Sequence, residues 1–235
     1  MGLDIYVGPL SRYYSGQWLT ILQQVGIAQG MPVQVIRSQQ PRSFWSRITS
    51  RFVGRQPAHR IDAIVAWRDD LASRGLFHPA IEWEWPESLD IAYETDKPSV
   101  TGWGAVQLWA AYAEQPHLER PSELPADWDQ NPVLLRATHY DQIYRPELWL
   151  PVEFDQIFEA AEVNGNICKI GSTFALDRQL KQLNEATWNA TGEIVSTWSF
   201  EAGDDFESDA KLGFEIWNRL AKKAAAERLP MRLDY

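Results

Sequence analysis

Five of the six carboxylates between positions 82 and 96 are the side chains whose types and spacing most favour chemistry: Glu82, Glu84, Asp90, Glu94 and Asp96. Grouped carboxylates can bind a cation, or their pKa values can separate so that one group acts as an acid and another as a base. We take Glu82, Glu84 and Asp96 as the catalytic candidates. Tryptophans alternate with the two glutamates, and indole rings can stack on the apolar faces of a sugar, so a sugar-binding site is a further alternative. The competing interpretation is a solvated acidic face over a tryptophan-filled core.

Three arginines spaced four residues apart form the second candidate: Arg47, Arg51 and Arg55. The pattern predicts a helix from about residue 41 to residue 52, and side chains four apart share a helix face. Guanidinium groups bind phosphate or carboxylate in a bidentate manner, so this row can act as an anion clamp. Two alternatives stay open, namely a plain solvated face and ion pairs with the acidic stretch of the same fold.

A tight polar loop precedes the most apolar segment of the chain. Its charged pair, Asp96 and Lys97, is positioned by rigid neighbours, which favours a binding role. The following turn contains Thr101 and Trp103. Its free backbone N–H groups can bind an anion, or one of them can donate to the Thr101 hydroxyl as in an ordinary helix N-cap. We therefore add Asp96, Lys97 and Trp103 to the arginine row as binding candidates.

No recognisable cofactor or metal motif occurs in the sequence. The four histidines are far apart and lack a second histidine or cysteine at ligand spacing, and the glycine patterns that cradle nucleotides are missing. The only cysteine, Cys168, is predicted to be a buried structural residue. We therefore predict no metal site and no cofactor.

These candidates must be positioned by a central helix and a sheet. The segment from about residue 102 to residue 114 is apolar on nearly every side, and such a helix has to be surrounded by protein. Alternating or β-rich patterns predict strands at residues 3–7, 32–36, 81–85, 89–94, 167–170 and 194–200. Helical spacing predicts helices that include residues 17–25, 62–73, 154–161, 172–183 and 206–224. We expect an α+β or α/β fold: one domain spanning residues 1–235, with a mixed sheet of five or six short strands covered by helices.

Charge and composition exclude several classes of function. The formal net charge is -10, which repels nucleic acid and favours a basic partner. The charge is uneven, because six arginines and no acidic residue lie between positions 37 and 60. We see no signal peptide and no apolar run long enough to cross a membrane, and a lone cysteine suits a reducing compartment. The expected location is the cytoplasm.

Several stretches together resemble a known family. They are MGLDIYVGPLSRYY, TDKPSVTGWGAVQLWAAYAEQP, LWLPVEF, LNEATW and LPMRLDY. They are similar to a bacterial family of proteins that begin Met-Gly-Leu-Asp and have no assigned activity. The resemblance implies a bacterial protein of conserved length, and it carries no catalytic residue over to this chain.

Two hypotheses for the function follow. The first is a non-catalytic cytoplasmic binding protein that acts through an acidic, tryptophan-rich surface, for example by neutralising a basic partner as an immunity protein does. The second is an enzyme acting on a small anionic or sugar-like substrate, with Arg47 and Arg51 as the clamp and the carboxylates as acid and base. The second hypothesis requires the arginine row and the carboxylates to share one pocket.

Overall fold

Six short strands form one mixed sheet at the centre of the computed structural model, which describes residues 3–31, 57–75, 81–200, 203 and 205–234. The strands are β1 (Asp4–Val7), β2 (Glu94–Asp96), β3 (Leu148–Leu150), β4 (Phe158–Ala161), β5 (Ile167–Ser172) and β6 (Met231–Asp234). Their order across the sheet is β2-β1-β6-β3-β5-β4. Strands β3 and β5 are parallel, and the other neighbours are antiparallel. The prediction of an α+β fold with a mixed sheet of this size is confirmed.

Helices cover both faces of the sheet. Those formed by the described residues are α1 (Leu10–Ser15), α2 (Ile21–Ala28), α3 (Pro57–Ser73), α4 (Ser99–Glu114), α5 (Pro132–Arg136), α6 (Asp141–Tyr144), α7 (Thr173–Ala186), α8 (Gly192–Val195) and α9 (Phe206–Glu227). Side chains of α4, α7 and α9 build the larger core on one face, and α1 and α3 contribute to a second core on the other. Because successive strand residues point to opposite faces, Trp149 lies in the first core and Leu148 and Leu150 lie in the second.

The predicted central helix is confirmed as α4, and its residues from Gly104 to Tyr112 are all buried. It packs most closely against α9, where Gly102 and Gly213 allow the two backbones to meet. The helix begins at Ser99, so the predicted Thr101 cap is wrong. The Ser99 hydroxyl instead accepts a hydrogen bond from the backbone N–H of Gly102, at 3.0 Å, and Thr101 lies exposed in the first turn.

The glycine at position 104 admits an aromatic ring. A Cβ atom there would lie 2.5 Å from the indole of Trp128, and this indole packs edge-on against Trp103, with 5.2 Å between ring centres. The small residue therefore fixes the loop that carries Trp128 against the N-terminal half of α4.

Several predicted elements are wrong in identity although the sheet has the predicted size. Residues 81–85 are extended, with Trp83 and Trp85 buried and the glutamates exposed as the alternation predicts, but they pair with no strand in the described part of the chain. The predicted helix over residues 154–161 ends as strand β4, and residues 194–200 contain helical turns instead of a strand. Alternation thus predicts which side chains are buried, but it does not predict whether the backbone pairs with another strand.

Candidate functional site

Two of the predicted catalytic carboxylates, Glu82 and Glu84, lie in one cleft with two arginines. The larger part of this cleft has a volume of about 650 Å³ and is lined by Arg68, Glu82, Glu84, Trp85, Pro86 and Arg228. A second part, of about 430 Å³, is lined by Ile81, Glu82, Glu153, Phe174 and Arg228. We call the two parts together the mixed-charge cleft. Its arginines are not the row that the sequence pattern singled out.

The two arginines hold the extended segment that carries the glutamates. Arg68, on α3, donates a hydrogen bond to the carbonyl of Trp85 at 3.2 Å, and its guanidinium carbon lies 5.3 Å from the centre of the Trp85 ring. Arg228 follows α9 directly and donates to the carbonyl of Glu84 at 3.3 Å. Guanidinium donors therefore bind carbonyls that a neighbouring strand would otherwise satisfy.

The third catalytic candidate, Asp96, lies outside this cleft. Glu94 and Asp96 of β2 face α9, and the guanidinium of Arg219 forms ion pairs with both of them. The same guanidinium lies 3.2 Å from Glu215. Arg219 precedes Arg228 by nine residues, which is about 13 Å along a helix axis. The structure therefore brings Glu82 and Glu84 together and places Asp96 in a separate ion-paired network.

Lys97 interacts electrostatically with the buried carboxylate of Asp4, which no sequence pattern indicates. Asp4 of β1 is only 7% exposed, and its Oδ1 atom makes no hydrogen bond within the described residues. Burial raises the pKa of Asp4, the positive charge of Lys97 lowers it, and the nearby carboxylates of Asp234 and Asp96 raise it further. Lys97 is thus part of a charge cluster at the edge of the sheet.

The substitution Asp4→Asn is expected to stabilise the protein by about 1 kcal/mol at pH 7, because it removes a buried carboxylate whose oxygen lacks a donor. A carboxyl with a raised pKa favours folding below its unfolded pKa, and this contribution is lost as the pH rises through the folded pKa. The gain should therefore be present at pH 7 and vanish near pH 3. Urea unfolding at both pH values measures it, and an equal effect at the two values would contradict the assignment.

A second buried polar cluster joins α1 to the sheet and was missed in the sequence analysis. The side chain of Glu162 is fully buried and forms an ion pair with Arg232 of β6. Tyr14 donates to Glu162 at 3.1 Å, and Tyr13 donates to Asp234 at 2.5 Å. Burial, followed by the charge of Glu162, raises the pKa of Tyr14. The residues of this cluster come from three segments that are far apart in sequence, so no local pattern reveals it.

The predicted binding residue Trp103 lies beside a third cavity, which we call the acidic cleft. The cleft has a volume of about 370 Å³, and its lining contains no lysine or arginine: Val100, Thr101, Glu123, Leu124, Pro125, Ala126, Trp128 and Asp209. Two of these residues, Leu124 and Trp128, also pack against the larger core. Carboxylates from the loop and from α9 thus line one cavity together with apolar side chains, and an anion at the start of α4 is disfavoured.

The loop that forms the acidic cleft is held by several backbone contacts. The N–H of Phe206 donates to the carbonyl of Ser122 at 3.0 Å, which joins the loop to the start of α9. The N–H of Trp128 donates to Pro125 at 3.1 Å, and the side chain of Asn131 caps α5. The cleft is therefore formed before any partner binds, which lowers the entropic cost of association.

Other sequence expectations have mixed outcomes. Arg47, Arg51 and Arg55 lie outside the described residues, so the proposed anion clamp stays a prediction. Cys168 is buried as predicted, and burial, with the charge of Glu162, raises the pKa of its thiol. No tryptophan within the described ranges is classed as exposed, so indole rings dominate the core there and not the surface.

Metal and membrane signals are missing from the parts of the chain that can be described. In those ranges, no group of three or more histidine, cysteine or acidic side chains is arranged to hold a metal ion. Likewise, none of the helices over those residues has the length and apolar character needed to cross a bilayer.

The residues that build the two clefts were only partly visible in the sequence. In the sequence, Arg228 is a basic residue after the end of the predicted helix 206–224, and Asp209 is an acidic residue near its start. Glu123 lies between Pro121 and Pro125 in a segment without helical or strand periodicity. None of these positions indicates a cleft. Comparisons of the chain with protein-family models, with curated proteins and with solved structures find no match.

Proposed function

We propose that the chain is a non-catalytic binding protein that recognises a basic protein partner through the acidic cleft. The observation that carries this proposal is a preformed cavity whose lining includes the two carboxylates of Glu123 and Asp209 together with the apolar side chain of Trp128. Neutralisation of a basic partner, in the manner of an immunity protein, is the concrete form that we favour. The single buried cysteine suits a cytoplasmic location, which forms part of the proposal.

The chemistry of the acidic cleft matches a lysine or arginine side chain. Two carboxylates can accept hydrogen bonds from one ammonium or guanidinium group, and bonds between ionised partners are stronger than neutral ones. The long aliphatic stem of such a side chain covers apolar surface while its charged end is paired. Leu124 and Trp128 provide that surface, and the indole ring attracts a cation further.

The surroundings of the cleft extend the negative charge. Exposed acidic residues lie along its loop and at the start of α9: Glu119, Asp127, Asp129, Asp205 and Glu207. Asp205 also caps α9, and its pKa is lowered by the hydrogen bond from the backbone of Ser208. Helix capping explains Asp205 but not Glu123 or Asp127, which lie outside regular helices. Lys211 pairs with Glu207 at 3.0 Å and Arg120 is exposed in the same loop, but acidic residues outnumber these two cations. A predominantly negative charge field of this kind speeds the approach of a basic partner.

The prediction for this proposal concerns two isosteric substitutions. Glu123→Gln combined with Asp209→Asn should weaken binding to lysine- and arginine-containing peptides by about tenfold or more, since two charge-assisted hydrogen bonds are lost. The measurement is binding of the purified protein to an array of defined peptides at low and at physiological salt. Wild-type binding should fall as salt rises.

The matched control removes the same charge elsewhere. Glu159 on β4 and Glu193 on α8 are both exposed and line none of the described clefts, so Glu159→Gln combined with Glu193→Gln changes the net charge equally. The control variant should keep wild-type binding. Equal losses in the two double variants would show that net charge alone is responsible, and a wild-type protein that binds no basic peptide would overturn the proposal.

A further inference from the structure

Arg228 and Glu82 occupy the junction of the mixed-charge cleft, because each of them lines both of its parts. They carry opposite charges, yet within the described ranges neither of them belongs to an ion pair, although Arg228 donates to a backbone carbonyl. An arginine and a glutamate that share a cavity without pairing leave one cationic and one anionic group available. Such a combination suits a ligand that carries both charges.

The backbone of Arg228 is held in a conformation that arginine disfavours. Its φ is +52° and its ψ is +50°, in the left-handed region where glycine normally ends a helix. A non-glycine residue there costs roughly 1 kcal/mol relative to glycine. Retaining arginine at this position therefore sacrifices stability, and such local strain is common at ligand sites.

The smaller part of the cleft adds an apolar contribution. Ile81 and Phe174 line it beside Glu82 and Arg228, and the guanidinium carbon of Arg228 lies 5.9 Å from the centre of the Phe174 ring. A volume of about 430 Å³ is of the size that accommodates a small molecule. Charged groups of both signs, including Glu153, thus border a half-open space to which Ile81 and Phe174 contribute the apolar surface.

We infer that the mixed-charge cleft binds a free α-amino acid with an apolar side chain. The carboxylate of the ligand lies on Arg228, its ammonium group lies on Glu82, and its side chain contacts Ile81 and Phe174. This site is separate from the acidic cleft and goes beyond the proposed function. Glu84 and Arg68 border the larger part of the cleft and leave room for water around the charged end of the ligand.

The experiment uses L-leucine and L-phenylalanine as probes in isothermal titration calorimetry on the full chain. N-acetyl-L-leucine, which lacks the ammonium group, and L-leucinamide, which lacks the carboxylate, should each bind at least about tenfold more weakly than L-leucine, because one charged contact is lost. Failure of both amino acids to bind at millimolar concentrations would overturn the inference. Equal affinity for leucine and its two derivatives would do the same.

Substitutions then assign the contacts. Arg228→Gly relieves the strain of the left-handed backbone but also removes the hydrogen bond to the carbonyl of Glu84, so the melting temperature should change little while the affinity for L-leucine falls about tenfold or more. Asparagine also tolerates this backbone, so Arg228→Asn serves as a second variant should the glycine variant fold poorly.

Glu82→Gln should weaken the binding of L-leucine but not the binding of N-acetyl-L-leucine. Arg74→Ala, which removes an exposed arginine paired with Asp70, is the control, and an unchanged affinity in Arg228→Gly would refute the assignment.

Discussion

Replacing Arg232 by methionine is expected to lower the free energy of unfolding by about 3–5 kcal/mol. The guanidinium forms an ion pair with Glu162, whose side chain is fully buried, and its own side chain is 12% exposed. Burial by itself lowers the pKa of Arg232, but its interactions with Tyr13, Glu162 and Tyr14 outweigh this effect and raise the pKa, so the residue stays protonated. Without it, a carboxylate remains buried beside two tyrosines. Urea unfolding followed by tryptophan fluorescence measures the loss.

The double variant separates the ion pair from the packing. Glu162→Gln added to Arg232→Met removes the stranded negative charge, so the double variant should be more stable than Arg232→Met alone. The amide of glutamine keeps the volume and can still accept from Tyr14. If the second substitution instead added its full cost to the first, the two side chains would not be coupled, and the account of this cluster would be wrong.

Gly213→Ala is expected to destabilise the protein by about 3 kcal/mol, near the upper end for an overpacked core. A Cβ atom at this position would lie 2.2 Å from the carbonyl oxygen of Gly102 and 2.8 Å from a methyl group of Val106. The oxygen belongs to the backbone of α4, so only a separation of α4 from α9 relieves the contact. Thermal and urea unfolding of the variant provide the measurement.

The glycine at position 192 is a suitable control for this substitution. It lies in α8, and a Cβ atom there would meet no other atom within 4 Å. Gly192→Ala should therefore leave stability unchanged or raise it slightly, because alanine favours a helix more than glycine does. A loss in Gly192→Ala as large as the loss in Gly213→Ala would show that the two-helix contact does not explain the effect.

The elements predicted correctly are those whose patterns are long and self-contained. Helix α9 has a buried stripe that includes Phe206, Trp217 and Leu220, and α4 is apolar around its whole circumference, so each reveals its environment through spacing alone. Strand β6 has four residues, and its two inward residues, Met231 and Leu233, are too few to form a readable alternation. Short strands depend on neighbours distant in sequence, which explains why several were assigned wrongly.

The candidate site was predictable in part for a related reason. The exposure of Glu82 and Glu84 follows from their alternation with buried tryptophans, and the structure places both in one cleft. Their companion Arg228 lies 144 residues beyond Glu84, and Arg68 lies on the separate helix α3, so no shared periodicity connects either arginine with the glutamates. Asp96 was grouped with the glutamates because it is near in sequence, but strand direction turns it toward Arg219 on α9.

The position of β6 between β1 and β3 also determines when the complete sheet can form during folding. The first strand pairs with the last along its whole length, from Asp4 opposite Asp234 to Val7 opposite Met231, and β3 lies on the other side of β6. A nascent chain on the ribosome cannot join the two halves of this sheet until Met231–Asp234 has emerged. Because pairing of strands this far apart in sequence is slow, we expect the two halves of the sheet to join late in folding.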